Sequence, residues 1–224
     1  MSIVENLKKI KEQLPANVTL VAVSKTYPAE DVLVAYNEGQ RVFGENKPQE
    51  MTAKQTILPD DIQWHMIGNL QTNKVRMIIP YVAMIESVSS LRLLQTIDKE
   101  AERVGRCVDI LFEVHIAEED SKMGWNTQEF LEYMKSEQWR ELKNVTPRGV
   151  MGMATFTDNQ DIVRAEFRTL SDMFRVLKEQ YFAEDSRFDT ISMGMSGDWK
   201  LAIEEGSTQI RVGSAIFGAR NYSK

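Results

Sequence analysis

With 224 residues, 42% of them hydrophobic and 27% charged, the chain has the composition of a soluble globular protein large enough for one sizeable core. Its formal net charge of −6 excludes a general electrostatic attraction to nucleic acid or to an anionic membrane, and no run approaches the roughly 20 apolar residues of a membrane span. Cys107 is the only cysteine and His65 and His115 the only histidines, which excludes an internal disulfide and a Cys/His zinc site.

The amino-terminal stretch MSIVENLKKI carries charges where a signal peptide would be continuously apolar, so a cytoplasmic protein is expected. Ser2 and Glu5 form an S-x-x-E capping box, and Ile3, Leu7, Ile10 and Leu14 recur at helical spacing until Pro15, which predicts a short leading helix. Short apolar runs separated by amphipathic stretches follow. They predict strands at Thr19–Ser24, Arg41–Phe43, Gln63–Ile67, Met84–Glu86, Asp109–His115, Gly149–Met153, Thr190–Met193 and Gln209–Val212. Between them, Leu91, Leu94, Ile97 and Ala101 form one helical stripe, and Val163, Phe167, Leu170, Phe174 and Leu177 another.

The strand runs lack apolar/polar alternation, as expected of strands covered on both faces in a parallel sheet. Eight strand-helix units without a Pro/Gly/Ser-rich linker or a repeat fit an α/β fold, a single (β/α)8 TIM-type barrel over residues 1–224 with an extra N-terminal helix. A doubly wound open sheet is the alternative, although it normally needs fewer strands. The P-loop, the dinucleotide fingerprint and the G-x-S-x-G elbow are all missing, and GMSG at Gly194–Gly197 has the wrong spacing for an elbow.

A parallel barrel does its chemistry at the carboxyl ends of its strands. Lys25 finishes the first, in VAVSK. Such a lysine can lay its stem on apolar surface with the ammonium in water, or, partly desolvated, serve as an amine that attacks a carbonyl. SMGMSGDW after the seventh strand and RVGSAIFG after the eighth supply glycines, hydroxyls and open amides suited to a phosphate, with Ser192, Gly194, Gly213 and Ser214 as candidates; ordinary turn and cap chemistry is the alternative. Arg211 lies between apolar Ile210 and Val212, so it needs a partner, either a structural carboxylate or a ring nitrogen of a cofactor. FGEN and WHMIG end the second and third strands and offer Asn46 and His65 to a planar ligand, although a lone histidine is more often a satisfied core residue. An amine, a phosphate cradle and a ring-nitrogen partner on one face are the binding requirements of pyridoxal 5′-phosphate.

AVSKT (Ala22–Thr26), FGEN, WHMIG, SMGMS, EGSTQIRVGSAIFG (Glu205–Gly218) and Ala219, Arg220 and Tyr222 together resemble the YggS-like pyridoxal phosphate homeostasis proteins over essentially the whole chain. The resemblance implies a barrel similar to the amino-terminal domain of alanine racemase, and a cytoplasmic protein that holds pyridoxal 5′-phosphate as an internal aldimine. By motif match the aldimine lysine is Lys25 and the ring-nitrogen arginine is Arg211. The phosphate ligands include Ser192, Gly213 and Ser214, and Asn46, His65 and Met193 match residues of the pocket lining. Lys47-Pro48 and Asn69 depart from the family pattern, and Pro48 suits the first turn of a helix.

Two classes of function stay open. A racemase-like enzyme needs an acid/base group on each face of the substrate, and in the alanine racemases the second comes from a carboxy-terminal domain of the partner subunit; this chain ends at Lys224 after the eighth unit, and no such domain is expected. An arginine at the pyridine nitrogen leaves the ring a weaker electron sink. Both favour a carrier or reservoir, expected to be a monomer rather than a dimer, with apoenzymes that use the cofactor as recipients and with no nucleic-acid or membrane partner. A third class, a sugar phosphate isomerase or aldolase using Lys25, lacks an evident acid/base carboxylate, since Glu86 and Glu113 read as solvated or paired. Arg211→Glu is expected to keep the fold and to favour a protonated ring nitrogen.

Overall fold

The computed structural model describes residues 2–117 and 124–219; Arg220 and Tyr222 of the terminal motif lie outside the described residues. Eight parallel strands close into a barrel in sequence order: β1 Thr19–Val23, β2 Val42–Glu45, β3 Gln63–Met66, β4 Met84–Val88, β5 Val108–Glu113, β6 Val145–Met151, β7 Thr190–Ser192 and β8 Gln209–Val212. The ring is completed by β1 against β8, with Thr19 opposite Gln209 and Val21 opposite Arg211. The open-sheet alternative is thereby excluded.

Helices follow the strands on the outside: α1 Ile3–Lys11 leads, then α2 Ala29–Asn37, α3 Pro48–Gln55, α4 Val75–Ile78, α5 Leu91–Arg103, α6 Thr127–Lys135, α7 Gln160–Tyr181, α8 Trp199–Glu204 and α9 Ser214–Phe217. The capping box of α1 is formed, Ser2 Oγ accepting from Glu5 N at 3.2 Å and Glu5 Oε2 from Ser2 N at 2.8 Å. Asn6 Nδ2 donates to Ile216 O at 3.0 Å, so the leading helix ties down α9 beside the barrel mouth. Pro48 is the first residue of α3, where its missing N–H costs nothing. None of the helices among the described residues is long and apolar enough to cross a membrane.

The main core fills the shell between strands and helices. Leu94, Ile97 and Ala101 of α5 and Val163, Phe167, Leu170 and Leu177 of α7 are buried there, each large side chain contributing ~1.5–3 kcal/mol. Inside the barrel the filling is different. Met84, Leu111 and Met151 form a small apolar cluster with Met153, and next to it the polar side chains of His65, Glu86, Ser192 and Arg211 are all buried. Both faces of the strands are therefore covered, which accounts for the missing alternation.

The sixth strand differs from its sequence-based bounds, starting at Val145 rather than Gly149. Ile110 pairs with Pro147 and Leu111 with Gly149, so Arg148 is an extra residue, a β-bulge at a proline that cannot donate to the ladder. The bulge sends Arg148 to Asp109, at 2.6 Å, and Asp189, at 3.5 Å, around the amino-terminal mouth.

Candidate functional site

A cavity of about 970 Å³ opens at the carboxyl ends of the strands. Lys25, Asn46, Arg211, Gly213 and Ser214 all line it. Lys25 follows β1 by two residues and is half-buried, and Asn46 directly follows β2. Gly68, after β3, lets the chain pass Asn46: a Cβ there would stand 2.6 Å from Asn46 O.

His65, Ser192 and Met193 do not line the cavity. Met193 is fully buried in the main core. Ser192 and His65 lie beneath Arg211 in a chain of hydrogen bonds. Arg211 Nη1 donates to Ser192 Oγ at 2.6 Å, Ser192 Oγ donates to Glu86 Oε2 at 2.6 Å, and the opposite oxygen of Glu86 meets His65 Nδ1 at 2.7 Å. Arg211 Nη2 also donates to Gly152 O at 2.9 Å, and Glu86 Oε2 lies 3.9 Å from Nη1. His65 reaches the smaller cavity at the amino-terminal mouth, so the chain spans the barrel interior.

The electrostatics follow from that packing. Burial lowers the Arg211 pKa, and the carboxylates of Glu86, Glu113 and Asp198 act against it. Burial alone would raise the Glu86 carboxyl, but the His65 hydrogen bond and charge, Arg211 and Ser192 together hold it below its ordinary range. Glu113, at the end of β5, is only 3% exposed, and burial pushes it up to about 7 despite the attraction of Arg211. Neither Glu86 nor Glu113 is solvated, contrary to one of the alternatives their strand-end positions allowed.

Just after β8, two backbone amides converge on a hydroxyl of the loop between β7 and β8. Ser196 Oγ accepts from Gly213 N at 3.2 Å and from Ala215 N at 3.4 Å. Gly194, at φ +94°, makes the turn out of β7, and a Cβ there would come within 2.6 Å of Ala202 Cβ. Gly213 leaves β8 with its Cα close against β1, where a Cβ would stand 3.1 Å from Val23 O. Asp198, lining the cavity, accepts from Met195 N and is raised by burial.

Ser196 and Asp198 come into the lining without having been singled out by sequence, as do Met153 and Phe156 after β6. Phe156 is 98% exposed at the cavity edge. Its loop is pinned by buried Glu166 of α7, which accepts from Thr155 N at 2.7 Å and Thr155 Oγ1 at 2.6 Å. The available signal was an aromatic residue in ATFTDN that belongs to no helical or strand stripe. Lys47 and Asn69, the two departures from the family pattern, also line the cavity.

The family model described as alanine racemase, N-terminal domain, matches residues 1–221. A pyridoxal phosphate homeostasis protein of Pasteurella multocida is 34% identical over all of both chains, and one of Aquifex aeolicus is 38% identical over 91% of this chain and 87% of its own. Among solved structures, PipY of Synechococcus elongatus with PLP bound is 38% identical and superposes with a TM-score of 0.87 over 97% of this chain and 100% of its own. The barrel, its working face and these full-length relatives agree, and the chain belongs to the pyridoxal phosphate homeostasis proteins within the alanine racemase N-terminal-domain family.

Proposed function

We propose that the protein binds pyridoxal 5′-phosphate in the cavity above Arg211, with Lys25 as its covalent anchor, and that it acts as a carrier or reservoir in the cytoplasmic cofactor supply. The observation that carries this reading is the meeting of Lys25, Arg211 and the Gly213 and Ala215 amides at one cavity. The residues fit the group. Two amides that already converge on one hydroxyl oxygen can hold a phosphate oxygen, aided by the hydroxyls of Ser196 and Ser214. Arg211 has more N–H donors than its bonds to Ser192 and Gly152 use.

The cofactor supplies an aldehyde that an amine condenses with and a ring that withdraws electrons. Lys25 brings the amine. Arg211 donates a hydrogen bond and keeps its proton, since even a lowered guanidinium remains charged at neutral pH, and so leaves a pyridine nitrogen unprotonated. Asn46 lines the cavity and would contact a ring held there, and Ser192, Glu86 and His65 fix Arg211 from below. We assign Met193 a packing role behind the β7 turn. The homeostasis relatives and the arginine favour a carrier over an amino-acid racemase, with apoenzymes that use the cofactor as its recipients and a monomer as the working form.

Borohydride reduction of the protein after incubation with pyridoxal 5′-phosphate, followed by peptide mapping, tests the anchor. A phosphopyridoxyl group on Lys25, lost in Lys25→Ala, is expected; no adduct, or one on another lysine, overturns the assignment. Deuterium exchange at the α-carbon of alanine tests the carrier role, which turnover at ~1–1,000 per second would overturn.

A further inference from the structure

The turn that carries Lys25 is clamped on both sides by one buried ion cluster. Lys54 of α3, with its side chain only 7% exposed, donates to Ser24 O at 2.8 Å, to Glu45 Oε1 at 2.7 Å and to Glu50 Oε1 at 2.9 Å. Ser24 Oγ donates to the same Glu45 oxygen at 2.7 Å. On the other side of Lys25, Thr26 N donates to Glu50 Oε1 at 2.6 Å. The residues before and after the lysine are thus fixed by a single lysine and two carboxylates.

Two features set the cluster apart from ordinary packing. Thr26 has φ +71°, which is strained for a β-branched residue and persists only where the surroundings over-determine it. Glu45 Oε2 is buried with no hydrogen-bond partner among the described residues, so the cluster is not arranged for its own satisfaction. Burying one lysine to hold a strained turn beside a second, half-buried lysine makes physical sense when the direction of the second one's amine matters.

We infer that Lys54 is a positioning residue which, through Glu45 and Glu50, sets the direction from which Lys25 approaches the aldehyde of its ligand. Lys54 itself does not touch the ligand, and it is absent from the cavity lining. This inference rests on the proposed cofactor role of Lys25.

The test compares two ligands. Pyridoxal 5′-phosphate needs Lys25 to be aimed; pyridoxamine 5′-phosphate has the same phosphate and ring but no aldehyde to condense with. Lys54→Met is expected to slow the absorbance change on pyridoxal 5′-phosphate addition by about tenfold or more, with pyridoxamine 5′-phosphate affinity changed by less than about twofold. Glu50→Ala removes only the tie to Thr26 and the more exposed half of the cluster. It should shift the same way by a smaller factor, and it carries the test if Lys54→Met does not fold. Unchanged condensation in the folded variants, or parallel loss of both ligands, overturns the inference. Failure of the wild-type protein to take the cofactor on Lys25 overturns the proposed function and takes the inference with it.

Discussion

Glu113 and Arg211 show how single buried charges set the working range of this barrel. Burial raises the Glu113 carboxyl from 4.5 to about 7 in the fold, so its contribution is present in full below the unfolded carboxyl pKa and is lost as pH rises through about 7. The loss amounts to ~3 kcal/mol at pH 8. Urea titrations of the cofactor-free protein should show Glu113→Gln gaining most of that advantage over wild type at pH 8 and little at pH 5; a difference that does not vary with pH would refute the assignment. Arg211 faces Glu86 at 3.9 Å and feels Glu113 and Asp198 as well. Arg211→Glu therefore adds a buried carboxylate to three existing ones, and the sequence-based expectation that it keeps the fold is revised. Destabilisation of ~3–5 kcal/mol is expected, read as a shift in urea midpoint before any spectrum of the ring is interpreted.

At the scale of elements, the turns are where local sequence and tertiary geometry conflict. Gly149 follows the Arg148 bulge with φ +153°, and a Cβ there would stand 1.7 Å from Thr190 O on the neighbouring strand. Gly149→Ala must push β6 and β7 apart, with a cost of at least ~3 kcal/mol or failure to fold, checked by denaturation of the purified protein. The sequence reading placed the start of this strand at Gly149, and the pairing of Val145, Thr146 and Pro147 with β5 is what extends it back to Val145. Lys25 was legible because a strand end carries its side chain to the working face whatever the partners are. Its clamp was not. Lys54 reads as an ordinary lysine of an amphipathic stretch, and only the packing of α3 against the β1 and β2 ends buries it. Glu86 was similarly opaque, because its partners lie on other strands, His65 on the neighbouring β3 and Ser192 on the distant β7.

For the whole molecule, the polar chain through the barrel has an energetic consequence. A core filled by Met84, Leu111, Met151 and Met153 on one side and by Arg211, Ser192, Glu86 and His65 on the other is only partly apolar, and buried ion pairs are weak sources of stability. The mouth above it is open, with Lys25, Arg211 and the β8 amides drawn from opposite ends of the sequence and joined only where β1 meets β8. A ligand that bonds to all three therefore bridges the seam at which the first and last strands already pair, and it does so in the native state alone. At a free concentration of about 100 times Kd, such binding adds about 2.7 kcal/mol, or a rise in Tm of about 5–10 °C for a chain of this length. Thermal unfolding with pyridoxal 5′-phosphate should show that rise. Pyridoxal without the phosphate should recover much less of it, because the amides of Gly213 and Ala215 then lack an anion to hold. Lys25→Ala should keep a reduced rise through the phosphate and ring contacts. Equal stabilisation by the two aldehydes would place the binding energy in the lysine alone and remove the β7–β8 loops from the site.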